Sequence, residues 1–378
     1  MKILHIETGK HWLGGPAQVL YLMQGLKLRG HGVCLVCPKS SALGARAAGA
    51  GLEVHFTAFE GDVDPRLLWG ASKSIRAFDP DVVHLHSRRG ADTQGAVAAR
   101  LCRKPAVLSR RVDYPLRVSA LVRWRYENLY DHIIAISEAI RRVVIAGGVA
   151  ADQVTTVYSA VDVDQFHPGA ERAAAARNEL GVAMDAPLFA IVAHMIPRKG
   201  HDILWNAVKR LSAEAPQLRV AVFGKGAEEQ RLRERAAGLG IGQHLVWCGF
   251  REDLPDVLPA IDCLVHPARM EGLGVAILQA LACAKPVIAC PVGGIPEAVR
   301  PPEDGWLVPV DDDAALADAM RAVIADPSAA MLKGAAGRIL MERSFSVDAM
   351  VEGNIAVYKK VLRREPRAGV PVSAAGPA

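Results

Sequence analysis

Residues 263–294 read CLVHPARMEGLGVAILQALACAKPVIACPVGG and contain two apolar runs on either side of a glycine-rich loop. Apolar runs at 263–266 and 286–290 have the length of buried strands, and an apolar helical segment follows the glycine-rich loop between them. A strand, a helix and a second strand in this order form a unit of a parallel sheet, because the helix carries the chain back to the edge where the next strand begins.

The alternation of strands and helices continues toward both ends of the chain. Apolar runs predict strands at 188–194, 219–223, 244–248 and 306–308 around this unit, and earlier at 3–7, 33–37, 52–58, 82–86, 106–110, 132–137 and 154–157. Helical patterns lie between most of these runs, such as Ala17–Arg29 and Asp92–Leu101, and end the chain at about 313–325, 328–343 and 346–363. The pattern pauses at Tyr158–Pro168, so we predict an α/β protein with two facing Rossmann-like domains.

The length of 378 residues also fits two domains. We place the first domain at residues 1–165 and the second at 166–345. The segment 364–378 is rich in Pro, Gly and Ala and is predicted to be disordered.

Composition narrows the class of protein. Hydrophobic residues make up 51% of the chain and charged residues 22%, which excludes a wholly disordered chain. The apolar run Leu273–Ala284 is too short to cross a bilayer. Glu7 interrupts the N-terminal apolar residues too early for an export signal, so we expect a cytoplasmic location. Cys34 and Cys37 lie within a predicted strand, where a core role is expected rather than a redox pair.

Positive charge is concentrated in the first domain. Residues 1–165 contain 21 Lys and Arg against 15 Asp and Glu, and segment 100–125 has eight basic residues against Asp113 alone. This segment is either a solvated basic face or a site for anionic lipid or a phosphate-bearing acceptor. The residues proposed for the acceptor or membrane are Arg110, Arg111, Arg117, Arg123 and Arg125. No nucleic-acid-binding motif is present, so no nucleic-acid partner is expected.

Ligands of open α/β sheets bind beyond the carboxyl ends of the strands, and three loops there carry suitable residues. In the first loop, Glu271 can accept hydrogen bonds from sugar hydroxyls, and the backbone N–H groups of Leu273, Gly274 and Val275 would form an anion site at a helix start. Gln279, further along that helix, can reach a ribose. The alternative is an ordinary loop in which Glu271 caps the helix.

The second and third loops offer cations and a tight turn. Arg198 and Lys199 follow a strand and suit a diphosphate. Gly14 and Gly15 open a helix after the first strand, but the GxGxxG pattern of a classical NAD site is absent. His84 and His86 face one side of a strand, with His86 nearer its end. No third metal ligand is evident, so we predict no metal site.

Taken together, these motifs resemble the retaining glycosyltransferases of family 4, which have the GT-B architecture. The resemblance covers residues 3–362 and is most specific in HPARMEGLGVAILQALACAKPVIACPVGGIPEAV, which is similar to the Glu-x7-Glu region of that family. Further matches are RGHGV at 29–33, DVVHLHS at 81–87, IIAISEAIRR at 133–142, VDxxxFxP at 161–168, PRKGHDIL at 197–204, VFGKGAEEQRLR at 222–233 and WCGFREDLPDVLPAIDCLVHP at 247–267.

The resemblance implies a role for each matching residue. Lys199 and Arg198 would bind the diphosphate of a nucleotide sugar, Glu271 and the 272–275 backbone (Gly272 to Val275) would hold the sugar, and His86 would face the reacting sugar. Gly15 would approach the diphosphate from the first domain. Loops around the base would contain Gly224, Gly249, Phe250 and Arg251. The C-terminal helix at 346–363 would cross back onto the first domain.

Two positions depart from the family pattern: Ala193–His194 replaces Gly-Arg, and Gln279 replaces the second Glu. The resemblance implies transfer of a sugar, with retention, from a nucleoside-diphosphate sugar to a glycan or lipid-linked acceptor, without a metal or other cofactor. Bacterial cell-envelope or lipopolysaccharide-type synthesis is the expected setting. The alternatives are a silent sugar-nucleotide-binding protein, and an epimerase or inverting transferase of the same architecture.

Overall fold

The computed structural model describes residues 1–61, 63–86, 90–116 and 120–363; Arg117 and the tail 364–378 lie outside them. The strands of the first sheet are β1 Lys2–Ile6, β2 Gly32–Cys37, β3 Glu53–Phe56, β4 Val82–Leu85, β5 Ala106–Arg110, β6 His132–Ala135 and β7 Val154–Thr156. The strands of the second sheet are β8 Leu188–Val192, β9 Arg219–Phe223, β10 Leu245–Gly249, β11 Cys263–His266, β12 Val287–Ala289 and β13 Gly305–Leu307.

Both sheets are parallel, and each contains one point where the strand order reverses. The first sheet has the order β3-β2-β1-β4-β5-β6-β7, and the second has β10-β9-β8-β11-β12-β13. The two parallel sheets confirm the prediction of paired Rossmann-like domains. The reversals fall between β1 and β4 and between β8 and β11, so a ligand crevice is expected beyond the carboxyl ends of those strands.

Helices cover both faces of the sheets. Those of the first half are α1 Gly14–Leu28, α2 Ala42–Gly49, α3 Pro65–Phe78, α4 Ala96–Leu101, α5 Ala120–Asn128 and α6 Glu138–Ala146. Those that follow are α7 Ala170–Glu179, α8 His201–Leu211, α9 Glu229–Gly238, α10 Leu254–Val257, α11 Val275–Ala282, α12 Ile295–Ala298, α13 Asp313–Ala325, α14 Pro327–Ser344 and α15 Val347–Leu362. None of these described helices is long and apolar enough to span a bilayer.

Two helices of the first half start differently from the prediction. Helix α1 begins at Gly14, three residues before the predicted start, because Pro16 fits the first turn of a helix, where its missing N–H has no intrahelical acceptor. The helix predicted at 92–101 begins with one π-helical turn, Ala91–Gly95, before α4. Cys34 and Cys37 are buried free thiols on β2, as predicted.

The C-terminal helix α15 packs on the first domain, as the resemblance implies. Its apolar residues, including Val351 and Tyr358, join the core cluster that contains Val19 and Leu22 of α1. A Cβ atom on Gly25 of α1 would lie 2.5 Å from a methyl group of Val351, so the close approach of the two helices requires glycine. The chain therefore returns to its first domain after completing the second.

Candidate functional site

A cavity of about 320 Å³ lies between the carboxyl ends of the two sheets. The residues that line it come from both domains: Gly14, Gly15, Gln18, Arg111, Ile136 and Ser159 from the first, and Val192, Ala193, His194, Arg198, Lys199, His266, Glu271, Gly272, Leu273, Gly274, Val275 and Ala276 from the second. The structure thus brings together the three loops that the sequence analysis singled out.

Glu271 is the centre of the second-domain wall of the cavity. Its carboxylate forms an ion pair with the Lys199 ammonium, lies 3.1 Å from Nε2 of His266, and accepts a hydrogen bond of 3.0 Å from the Gly272 N–H. Burial alone would raise the pKa of the Glu271 carboxyl, but the hydrogen bond to His266 and the charge of Lys199 hold this pKa well below its usual range. Glu271 is therefore a fixed anion within hydrogen-bonding reach of the cavity.

Close backbone contacts fix the two loops that carry this ion pair. Gly200 has φ +71°, and a Cβ atom there would lie 1.9 Å from the carbonyl oxygen of Pro267. Gly293 has φ +54°, and a Cβ atom there would lie 1.7 Å from the carbonyl oxygen of Glu271. Only glycine permits both approaches, so the loops of Lys199 and Glu271 interlock without a ligand.

The first-domain wall is built from the start of α1 and the residue that follows β5. Gly14 and Gly15 begin α1, and the Gln18 side chain anchors this helix by bonding the backbone N–H and carbonyl of Ala160, at 2.6 and 2.7 Å. The Arg111 side chain lies beside Gly15, since a Cβ atom on that glycine would be 3.8 Å from Cδ of Arg111. Burial lowers the pKa of Arg111 to about 10, which leaves the guanidinium charged at neutral pH.

Two helix N-termini contribute to the cavity, one from each domain. Helix α1 follows Leu13 and helix α11 follows Gly274; in the described chain neither end has a side-chain cap or an acidic residue in its first turn. A Cβ atom on Gly14 would lie 3.3 Å from a Val275 methyl group, so the two ends are close neighbours. Free N–H groups and the positive ends of the helix dipoles favour an anion there.

His86 does not line the cavity but lies buried at the end of β4. Its Nε2 is 2.9 Å from Nδ1 of His5, and His84 beside it contacts the Tyr358 hydroxyl at 2.6 Å and the Ser109 hydroxyl at 2.8 Å. Burial lowers the pKa of all three imidazoles. His5 is the third histidine that the sequence analysis did not find, and candidate ligand atoms of the three rings lie within 4.8 Å of one another.

Other predicted residues also lie outside the cavity lining. Gln279 is one turn inside α11, behind the residues that contact the cavity. Gly224 follows β9 and Gly249 ends β10, and the Gly224 N–H donates to the Gly249 carbonyl at 2.7 Å. Phe250 is 44% exposed below the Lys225 ammonium. Arg251 pairs with Glu179 and Asp253, so its charge is already balanced.

The described arginines among those assigned to the acceptor or membrane lie in different surroundings. Arg111 points into the cavity, whereas Arg110 donates to the carbonyl of Tyr114 at 2.6 Å. Arg125 donates to the Thr93 hydroxyl at 3.0 Å, and Arg123 pairs with Glu127 one helical turn away. Arg110 also donates to the Tyr126 hydroxyl at 3.3 Å, and the Arg125 guanidinium lies over the Tyr126 ring, so these two side chains are neighbours. The assignment of these arginines to acceptor or membrane stays a prediction.

Two family profiles match the chain: "Glycosyltransferase Family 4" over residues 14–165, and "Glycosyl transferases group 1" over residues 173–338. Alpha-maltose-1-phosphate synthase of Mycolicibacterium smegmatis is 31% identical over 322 residues, which cover 74% of this chain and 79% of that relative. The chain belongs to glycosyltransferase family 4.

Other family 4 relatives are matched over shorter stretches. The GDP-mannose-dependent monoacylated alpha-(1-6)-phosphatidylinositol monomannoside mannosyltransferase of Corynebacterium glutamicum is 34% identical over 219 residues, 55% of this chain and 56% of that relative. The chain spans about half the length of most of the curated relatives that it matches. The crystal structure of Anabaena HepE in complex with UDP-glucose has a TM-score of 0.84 and 21% identity over 95% of this chain and 100% of that chain, which shows a shared fold.

Several cavity residues carry no signal in the sequence. Ile136 and Ser159 are ordinary residues after β6 and β7, and only the meeting of the two domains places them here. His266 was noted as a strand end but not as a partner of Glu271. The spacing of five residues between them, across a loop, gives no periodic pattern from which their contact could be read.

Proposed function

We propose that this chain is a retaining glycosyltransferase that moves a sugar from a nucleoside-diphosphate sugar to a glycan or lipid-linked acceptor. The observation that carries the proposal is the buried Lys199–Glu271 pair, which faces two uncapped helix N-termini across one cavity. A cation and free N–H groups suit the diphosphate, and a fixed carboxylate suits the hydroxyls of the sugar.

The proposed roles of the cavity residues follow from where charge develops during sugar transfer. As the bond between sugar and diphosphate breaks, negative charge grows on the leaving phosphate. The Lys199 ammonium and the N–H groups that begin α11 would stabilise this charge. The leaving phosphate would accept the proton of the acceptor hydroxyl, and Glu271 would orient the sugar. Because the cavity walls belong to two domains, their closure would exclude water and limit hydrolysis of the donor.

Names of related proteins favour a donor and a setting. Relatives are named as GDP-mannose-dependent mannosyltransferases of phosphatidylinositol mannosides, and the HepE structure contains UDP-glucose. We propose a hexosyl donor with UDP or GDP, and an acceptor of the bacterial cell envelope, including lipopolysaccharide-type glycans. The protein would act in the cytoplasm, in peripheral contact with the anionic inner face of the membrane. We propose that catalysis needs no metal or other cofactor.

A donor panel tests this function. UDP- and GDP-hexoses are incubated with lipid extracts of a bacterium that encodes the chain, with and without EDTA, and nucleoside diphosphate release is measured. Release that depends on acceptor and persists in EDTA, with a product of the donor's anomeric configuration, is expected. An epimerised donor, an inverted product, or binding without turnover would each replace the proposal by one of the alternative functions.

A further inference from the structure

Arg111 carries a charge that the protein itself leaves almost without partners. The hydrogen bond recorded for its guanidinium runs to the Ser159 hydroxyl and is 3.5 Å long. Its buried Nε has no hydrogen-bond partner. Among the described residues, no carboxylate lies within ion-pair distance of Arg111, although the charge of Glu7 acts on it from further away. Five N–H donors are therefore almost entirely unused.

A half-buried guanidinium without acceptors destabilises the folded protein, because it loses hydrogen bonds to water and gains none in their place. His84 and His86, whose imidazoles lie close enough for the charge of Arg111 to act on them, do not balance this charge, because burial keeps them neutral. Arg110 and Arg125 also have a buried Nε without a partner, but another nitrogen of each donates a short hydrogen bond, of 2.6 and 3.0 Å. The buried Arg177 bonds Asp262 and three backbone carbonyls. This contrast indicates that the partner of Arg111 is a ligand.

The surroundings of Arg111 define the chemistry of that ligand. The side chain lies beside Gly15, at the free N-terminus of α1, and its backbone carbonyl is next to Gly272 in the loop before α11. Arg198 and Lys199 stand in the same cavity, whose lining holds two more cations than carboxylates. A ligand with at least two negative charges matches this excess.

We propose that Arg111 is a ligand of the donor diphosphate, contributed by the first domain opposite Lys199 and Arg198 of the second. The inference rests on the proposed function, because it takes the anion in the cavity to be a nucleoside diphosphate. The planar fork of arginine bonds two phosphate oxygens at once, which the point charge of lysine does not do. The diphosphate then bridges the domains, so donor binding favours their closure.

The test compares Arg111→Met, Arg111→Lys and the control Arg142→Met, an exposed arginine of α6. Affinities for UDP, GDP, uridine and guanosine are measured without acceptor, by calorimetry and, for weaker ligands, by ligand-observed NMR. Arg111→Met is expected to weaken binding of the preferred diphosphate about ten- to a hundredfold. Its nucleoside should bind as before, Arg111→Lys should recover part of the loss, and the control should match the wild type.

Each other outcome overturns the assignment. Equal losses for diphosphate and nucleoside would mean that Arg111 supports the structure of the cavity rather than a phosphate. Unchanged diphosphate affinity with a raised acceptor KM would assign Arg111 to an anionic acceptor instead. Wild-type protein that binds neither UDP nor GDP would overturn the proposed function as well, whereas wild-type binding with an unaffected Arg111→Met variant would overturn this inference alone.

Discussion

The two walls of the cavity hold their charges in opposite ways. On the second-domain wall, Lys199 and Glu271 neutralise each other, and both side chains are largely buried, at 12% and 17% exposed. On the first-domain wall, Arg111 has one long hydrogen bond and no carboxylate beside it. The second wall is thus ordered by its own ion pair, while the first wall presents a charge whose partner is absent from the described protein.

This difference separates two contributions to catalysis. A wall organised before the ligand arrives loses little entropy when it binds, and it holds its groups where charge will develop. A wall with an unsatisfied charge gains most when an anion reaches it from the other domain. Changes on the second wall should therefore affect the chemical step most, and changes on the first wall should affect domain closure and ligand affinity.

The largest effect is expected from Glu271→Ala on the second wall. The change removes the group proposed to orient the sugar and leaves the Lys199 ammonium buried without its partner. We expect kcat/KM to fall about ten- to a hundredfold. Initial rates of nucleoside diphosphate release measure this, and thermal unfolding checks that the fold survives.

Glu303→Ala provides the matched control, because Glu303 is an exposed glutamate of the same domain. It should retain wild-type activity. Near-wild-type kcat/KM in Glu271→Ala would show that this carboxylate does not contribute to the reaction. The second wall would then not differ from the first in its effect on the chemical step.

A smaller effect is expected at the contact that joins the two walls. The Glu297 carboxylate of α12 accepts hydrogen bonds from the backbone N–H groups of Glu138 and Ala139, at 2.7 and 2.9 Å, and so caps helix α6 of the other domain. Beside it, the Ser137 hydroxyl donates to the carbonyl of Gly272 at 3.1 Å. The loop of Glu271 is therefore linked directly to the first domain.

Glu297→Ala should weaken domain closure, because it removes two charge-assisted hydrogen bonds at a helix N-terminus. We expect kcat/KM to fall about tenfold and the radius of gyration measured by small-angle X-ray scattering to rise. Glu297→Gln should recover part of both losses, since an amide oxygen still accepts a hydrogen bond. If Glu297→Ala changes neither quantity, this contact does not hold the walls together.

The fold of this protein could be predicted from its sequence more fully than its cavity. Every strand of both sheets was predicted, because most of them are buried and appear as continuous apolar runs. The wall of the second domain was also predicted in its main residues, Lys199, Glu271 and the Gly272–Val275 backbone. These lie in loops after strands, where glycines and charged residues stand out against apolar surroundings.

The remaining features depend on contacts between distant segments. The Glu297 cap joins residues about 160 positions apart, and His5 meets His86 from a neighbouring strand. Neither pairing has a local period or spacing in the sequence. His86 was expected at the cavity because it ends a strand, but its bond to His5 holds it beneath the surface. Arg111 was grouped with its basic neighbours, and only the direction of its side chain distinguishes it from them.

The buried histidines below the first wall predict a pH dependence of stability. Burial lowers the pKa of His5 to about 3 and those of His84 and His86 well below the ordinary value of 6.5. Below pH 6.5 the unfolded chain binds protons at these positions and the folded chain does not. The free energy of unfolding should therefore decrease as the pH falls, by up to about 1.4 kcal/mol per pH unit for each histidine.

Urea unfolding at pH 7.5, 6.5 and 5.5 measures this dependence. His86→Asn should reduce the slope by about one proton. The same slope in the wild type and in His86→Asn would mean that His86 does not stay neutral in the fold. The first wall would then rest on a charged layer, and the isolation of Arg111 would need another explanation.

The smallest effect is expected on the outer surface of the first domain, where the two domains should differ in their affinity for a membrane. Helix α3 presents Arg66, Trp69, Lys73 and Arg76 on one exposed face, and Trp69 is 80% exposed. Tryptophan beside basic residues is typical of segments that settle at an anionic interface.

Lys73→Gln should weaken binding to phosphatidylglycerol vesicles about fivefold, which is the contribution of one basic residue to binding such a surface. Lys209→Gln on α8 is the matched control in the second domain. If both variants bind the vesicles equally, or if the wild type does not bind them, α3 of the first domain does not contact the membrane through this face.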